Sequence, residues 1–148
     1  MKIFIGSDHA GILLKKKLKD FLEKKHHAVF DCGASEEGKS VDYPDFAQTV
    51  CDKTLSENSM GVLICGSGIG MSIAANRRKG IRAALCWNEE VSKLSRQHNN
   101  ANILVLSARL ISYTCAEKCL DMFLKTSFEG GRHQRRLDKI DTNQTEAL

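Results

Sequence analysis

One stretch, Met60 to Asn76, reads MGVLICGSGIGMSIAAN and restricts this chain more than any other. Val62, Leu63 and Ile64 form a short apolar run of the length and branching expected for a strand buried on both faces. Cys65 ends the run, three glycines follow within five residues, and Met71, Ile73, Ala74 and Ala75 resume an apolar, helix-compatible pattern. The order strand, glycine loop, helix lets backbone approach a ligand closely and turns the unpaired N–H groups of a helix's first turn toward an anion. A thiol at the last strand position and a hydroxyl at Ser67 are groups that move protons, so the loop reads as a place of chemistry as well as of binding. A dinucleotide fingerprint fits poorly. It needs GxGxxG after the first strand and an acidic residue about twenty positions on, whereas here Met71 follows Gly70 and the next strand ends in Leu85-Cys86.

Around this stretch the pattern alternates. Strands are expected at Lys2–Gly6, Ala28–Cys32, Ile81–Cys86 and Ile103–Leu106 besides the central one. A first helix should carry Leu14, Leu18, Phe21 and Leu22 on one face, with Lys15, Lys16 and Lys17 projecting mostly outward. Pro44 opens a second helix with Phe46, Val50 and Leu55 or a neighbour inward. Helices over Asn88–His98 and Ser112–Leu124 follow. Strands alternating with helices through short connections predict right-handed crossovers: an α/β fold, a three-layer α/β/α Rossmann-like sandwich on a five-stranded parallel sheet. With 148 residues the chain is expected to be a single domain. The segment after Gly130-Gly131 is so polar that residues 130–148 are expected to form an arm on a partner subunit, with the final DTNQTEAL frayed.

Composition narrows the function classes. A net charge of +4, with no aromatics interleaved among the basic residues, argues against nucleic-acid binding. No leader pattern or apolar run of about 18 residues appears, so a cytoplasmic protein without membrane contact is expected. Cys32, Cys51, Cys65, Cys86, Cys115 and Cys119 lie in or beside apolar segments without a metal-type CxxC pair, and all but Cys65 read as packing residues.

Parallel sheets bind ligands at the carboxyl ends of their strands. Those ends carry Asp8 and His9, Cys65 with its loop, and the segment containing Arg109; His98 precedes the last strand and is expected to reach a site from the opposite rim or from another subunit. An ordinary thiol is only a few per cent thiolate at neutral pH, and a helix N-terminus shifts that balance toward the nucleophilic form. The same N–H groups hold an oxyanion formed when a thiolate takes a proton from carbon. Arg109, Arg132 and Arg136 suit a phosphate, the last two being four residues apart and so on one helix face. His26 and His27, in a run of lysines, read as structural or solvated, and Arg135 as pointing away.

GSDHAG at Gly6–Gly11, DYPDFA at Asp42–Ala47, ICGSGIGMSIAAN at Ile64–Asn76, GIRAAL at Gly80–Leu85, SRQHNNAN at Ser95–Asn102 and EGGRHQRR at Glu129–Arg136 together resemble the type B ribose-5-phosphate isomerases, over nearly the whole chain. The resemblance implies an aldose–ketose isomerase of the pentose phosphate pathway without metal or organic cofactor, a homodimer or dimer of dimers with shared active sites. It implies Cys65 as the base, Ser67 as its helper on the substrate oxygens, and His98 with Asp8 as the ring-opening pair. Gly66, Gly68, Ile69 and Gly70 would form the anion hole, while His9, Arg132 and Arg136 hold phosphate and Tyr43, Asn99 and Arg109 contact the sugar phosphate. One branch of the family uses a glutamate in the loop's helix; Ser72 and its neighbours offer none, which indicates the cysteine branch. A six-carbon substrate, allose 6-phosphate or galactose 6-phosphate, and a non-catalytic sugar-phosphate binding module are the alternatives.

Overall fold

The computed structural model of the chain describes residues 1–143. Five strands, β1 (Lys2–Ser7), β2 (Ala28–Asp31), β3 (Met60–Cys65), β4 (Ala83–Leu85) and β5 (Ile103–Ser107), pair in parallel in the order β2-β1-β3-β5-β4. The helices are α1 (Ile12–Lys24), α2 (Tyr43–Ser56), α3 (Ile69–Asn76), α4 (Glu89–Gln97), α5 (Tyr113–Lys125) and α6 (Arg132–Asn143). The expected α/β sandwich on a five-stranded parallel sheet is what forms. Residues 141–143 continue α6, and the rest of the expected fraying lies outside the described residues.

Alternation along the strands builds two cores. Ile3, Ile5, Val62, Ile64, Leu104 and Leu106 point to one face, where Leu18 and Leu22 of α1 and Ala116, Cys119, Leu120 and Phe123 of α5 cover them. Phe4, Leu63, Cys65, Ile103 and Val105 point to the other, covered by Ala47, Val50 and Cys51 of α2 and by Met71 and Ala75 of α3. Thr54, not Leu55, completes the buried face of α2. Local chemistry fixes the helix starts: Pro44 lies in the first turn of α2, the Asn88 side chain accepts the Val91 N–H at the head of α4, and Ser112 accepts that of Cys115 at the head of α5. The chain leaves β1 toward β2 and leaves β3 in the opposite direction toward β4, so the sheet's topological switch point lies between the adjacent carboxyl ends of β1 and β3.

One expectation changes, and one element packs more closely on its own chain than its composition suggests. Lys15 does not project outward. It is 1% exposed, and its Nζ donates to Asp31 Oδ1 and to the Ala34 carbonyl, each at 2.6 Å. Lys15 shares the i, i+3, i+7 face of Leu18 and Leu22, so the helix carries it inward, and an acid at the end of β2 makes the burial tolerable. Lys16 pairs with Glu37 in solvent and Lys17 is exposed, as expected. The arm after Gly130 is also less detached than its polarity predicts: His133 and Leu137 are buried against this same chain, Arg82 reaches Asp141 at 3.6 Å, and only the outer face of α6, with Arg132, Arg135 and Arg136, is open.

Lys15→Ala leaves the Ala34 carbonyl without its donor and should lower unfolding free energy by about 2 kcal/mol. Lys16→Ala, which removes only a surface pair, should change it by less than about 0.5 kcal/mol, both read from urea denaturation midpoints.

Candidate active site

The parity of β3 sends Cys65 to the same face as α3, so its side chain meets the loop that follows. The sulfur accepts the Gly68 N–H at 3.2 Å, and Cys65 itself is 4% exposed. Gly68 makes this possible: at φ +82° its amide turns back toward the strand end, and a Cβ there would stand 2.5 Å from Leu85 Cδ1. The Ile69 N–H is taken by Ser67 Oγ at 3.2 Å, and the Ser72 N–H returns to the Gly68 carbonyl. That leaves the amides of Gly70 and Met71, which no carbonyl of α3 can reach, as donors at the head of the helix. A side chain at Gly70 would strike the Tyr43 ring, 2.5 Å from Cζ, so the tyrosine lies directly over the loop.

The neighbouring strand ends complete this side. Asp8 is 7% exposed, and one of its carboxylate oxygens accepts the Ala10 N–H at 2.9 Å, holding the turn that follows β1. His9 is exposed; its Nδ1 accepts the Val41 N–H at 3.2 Å, which leaves the proton of the neutral ring on Nε2, free for an anion. The chain after β5 runs beside the glycine loop, with the N–H groups of Ala108 and Arg109 donating to the carbonyls of Cys65 and Gly66. The Arg109 guanidinium consequently lies over Gly66, where a Cβ would start 3.0 Å from Nη1. Ser107, which the sequence reading passed over, is buried in register with Cys65; its hydroxyl donates to the Gly66 carbonyl at 2.6 Å and accepts the Leu110 N–H. A hydroxyl ending the apolar run ILVLS was its signal.

Asp8, His9, Tyr43, Cys65, Ser67, the loop glycines, Ile69 and Arg109 thus gather at one rim. His98, Asn99, Arg132 and Arg136 do not join them. His98 caps the end of α4, before β5 begins, and so lies at the other end of the sheet; the five residues of β5 alone span about 16 Å. There His98 stacks on His133, ring centroids 4.2 Å apart and planes within 11°, with the Glu129 carboxylate beside both. Burial lowers the pKa of His133, and the positive charge of His98 and Arg132 lowers it further, against Glu129, which raises it.

Among the described residues, His98, Glu129 and His133 are the one group whose donor atoms approach a metal-site spacing, within 4.8 Å of one another. Their geometry does not suit an ion. Imidazole lone pairs lie in the ring plane, and two nearly parallel stacked rings cannot both aim at one centre about 2.0–2.1 Å away. No helix among the described residues is long and apolar enough to cross a membrane.

Comparison with known proteins gives a consistent result. A family model described as Ribose/Galactose Isomerase matches residues 3–140. A solved ribose-5-phosphate isomerase B from Clostridium thermocellum superposes with a TM-score of 0.97 at 45% identity, covering 100% of both chains. The Mycoplasma genitalium enzyme, solved with bound ribulose-5-phosphate, gives 0.95 at 47% identity over 99% of this chain and 97% of that one. A ribose 5-phosphate isomerase from Thermotoga maritima gives 0.92 at 53% identity over 95% and 97%.

The packing cysteines should stay silent toward alkylation. Burial pushes the thiols of Cys51 and Cys119 up to about 12 and that of Cys86 up to about 11, with the charge of Asp52 adding to the first and Cys115 to the second. Below about one in a thousand of each is then thiolate at pH 7.5. Peptide mapping after iodoacetamide treatment should find all three unmodified in the folded protein and modified once urea is added.

Proposed function

This chain belongs to the ribose/galactose isomerase family, among the type B ribose-5-phosphate isomerases, and is a sugar-phosphate isomerase; from that premise we propose that it interconverts ribose 5-phosphate and ribulose 5-phosphate through an enediolate. The observation that carries the reading is the Cys65 sulfur turned toward the Gly68 amide, with the free amides of Gly70 and Met71 at the head of α3 alongside. In the open-chain aldose, Cys65 takes the proton from C2. The electron pair moves into the C1–C2 bond, and negative charge develops on O1, where the loop amides hold it. Ser67 passes the O2 proton toward O1, and Cys65 returns its proton to C1, leaving the C2 ketone. No step needs a metal or an organic cofactor.

Two copies of the chain complete the site. His98 is the acid that opens the furanose ring and Asp8 its helper, but in one chain they stand at opposite rims; Arg132 and Arg136 are likewise remote from His9. In a homodimer, the rim bearing His98, Asn99, Arg132 and Arg136 in one subunit meets the Cys65 rim of the other. The open outer face of α6 supports this arrangement. His9 Nε2–H and the two guanidinium groups then share the phosphate, with Arg109 and Tyr43 along the sugar.

Purified protein should convert ribose 5-phosphate in a coupled assay, faster than allose 6-phosphate or galactose 6-phosphate. Cys65→Ala should lower kcat by about 10³-fold or more while sugar-phosphate binding changes little; retained turnover would remove Cys65 as the base. Isomerisation in heavy water should leave deuterium on the product carbon, which a hydride shift would not do. Light scattering should report a dimer or larger assembly, and a fully active monomer contradicts the shared site.

A further inference from the structure

We propose that His133 is a positioning residue for His98: its stacked ring, and the Glu129 carboxylate beside both rings, fix the orientation and the proton of the His98 imidazole. This rests on the reading of His98 as the ring-opening acid and adds to it the device that keeps such an acid loaded.

The backbone around the pair is tied down on every side. The Glu129 N–H donates to the Gln97 carbonyl at 3.1 Å, so the connection from α5 to α6 is pinned to the last turn of α4, one residue before His98. Gly130 and Gly131, at φ +69° and +58°, then turn the chain so that α6 starts over that helix end, and the His133 N–H returns to the Gly130 carbonyl. The outcome is the parallel stack at 4.2 Å, one ring buried and the other, His98, with 39% of its side chain exposed.

A phenyl ring would fill this space as well, so packing alone does not call for histidine. The charges give the reason. Two imidazoles in face contact repel when both are protonated, so the stack disfavours a second proton. Glu129 Oε2 lies 3.5 Å from His133 Nε2 and 4.0 Å from His98 Nε2 and favours a proton on either. Burial and the nearby positive charge of Arg132 and Arg136 keep it off His133. A proton on the exposed ring would have the carboxylate at its edge and the electron-rich face of an imidazole beneath it. Neutral His133 also gives Glu129 a nearby N–H, which keeps the carboxylate in place. The groups that approach His98 are thus His133 on α6 and Glu129 before it, with Arg132 and Arg136 acting on His133 from α6.

The test compares Glu129→Gln, His133→Ala and His133→Phe in the full-length protein. Glu129 is half exposed, so its replacement serves if His133→Ala unfolds. The proposal expects the limb of the kcat/KM profile on which activity falls with rising pH to move to lower pH in Glu129→Gln, with about a tenfold loss at pH 8. It expects His133→Ala to lose about tenfold in kcat at nearly unchanged KM. His133→Phe should restore the upfield ring-current shift of the His98 Cε1–H resonance but little of the lost kcat, because it returns the stacked face without the imidazole N–H beside Glu129; full recovery of kcat would reduce the role to packing. Unmoved pH profiles with undiminished kcat in Glu129→Gln and His133→Ala would overturn it. An unaltered protein with no turnover on any sugar phosphate would instead defeat the isomerase reading, and the positioning role with it, although the ring-current shift would still report the stack.

Discussion

The hydrogen bond from the Gly68 amide to the Cys65 sulfur is the interaction on which the rest of the site is arranged. It exists because three conditions are met together. The alternation of β3 sends residue 65 to the face on which α3 begins, the left-handed conformation of Gly68 turns its N–H back, and Ser107 in the next strand anchors the Gly66 carbonyl so that the loop cannot swing away. One short loop thus sets a donor at the sulfur and leaves further amides at the helix head beside it. Gly66, Gly68 and Gly70 lack side chains for three different neighbours: Arg109, Leu85 and Tyr43.

A parallel sheet imposes a second constraint. All its carboxyl ends lie on one rim, so residues before a strand and residues after a strand are separated by the strand's length. Cys65 and Asp8 follow strands, His98 precedes one, and no side chain spans the sheet between them. On the function proposed above, the base and the ring-opening acid would come from two copies of the chain. The same geometry explains why α6 is buried on one side and cationic on the other. His133 and Leu137 seat it on its own subunit, which leaves the guanidinium groups of Arg132 and Arg136 facing outward.

Polar groups inside the fold carry positioning as well as stability. Lys15 ties the start of the loop after β2 to α1 and to the Ala34 carbonyl, and the far end of that loop, at Val41, holds His9 by its Nδ1. The His98–His133–Glu129 cluster does the same at the opposite rim, joining α4 to the start of α6. In both places a buried cationic or titratable group sits close to a candidate site residue, His9 in the first and His98 in the second.

How much of this was legible in the chain itself depended on the range of the interaction. Strand and helix order, the parallel sheet and the Cys65 loop follow from periodicity and turn chemistry, which act over a few residues, and MGVLICGSGIGMSIAAN carries the thiol and the glycine loop beside it. Residues that act across the fold were misjudged or missed. Lys15 looked like part of a solvated lysine run although its spacing to Leu18 and Leu22 placed it on the inner face, because only the arrival of Asp31 from another strand makes burial of a charge tolerable. Ser107 and His133 passed as bystanders for the same reason: their partners, the Gly66 carbonyl and the His98 ring, are 41 and 35 positions away along the chain. Sequence by itself determined the elements and the make-up of the glycine loop, since both are set by neighbours in the chain; tertiary structure alone decided which rim each candidate site residue occupies and which buried polar groups hold them there, since those depend on strands and helices meeting across the sheet.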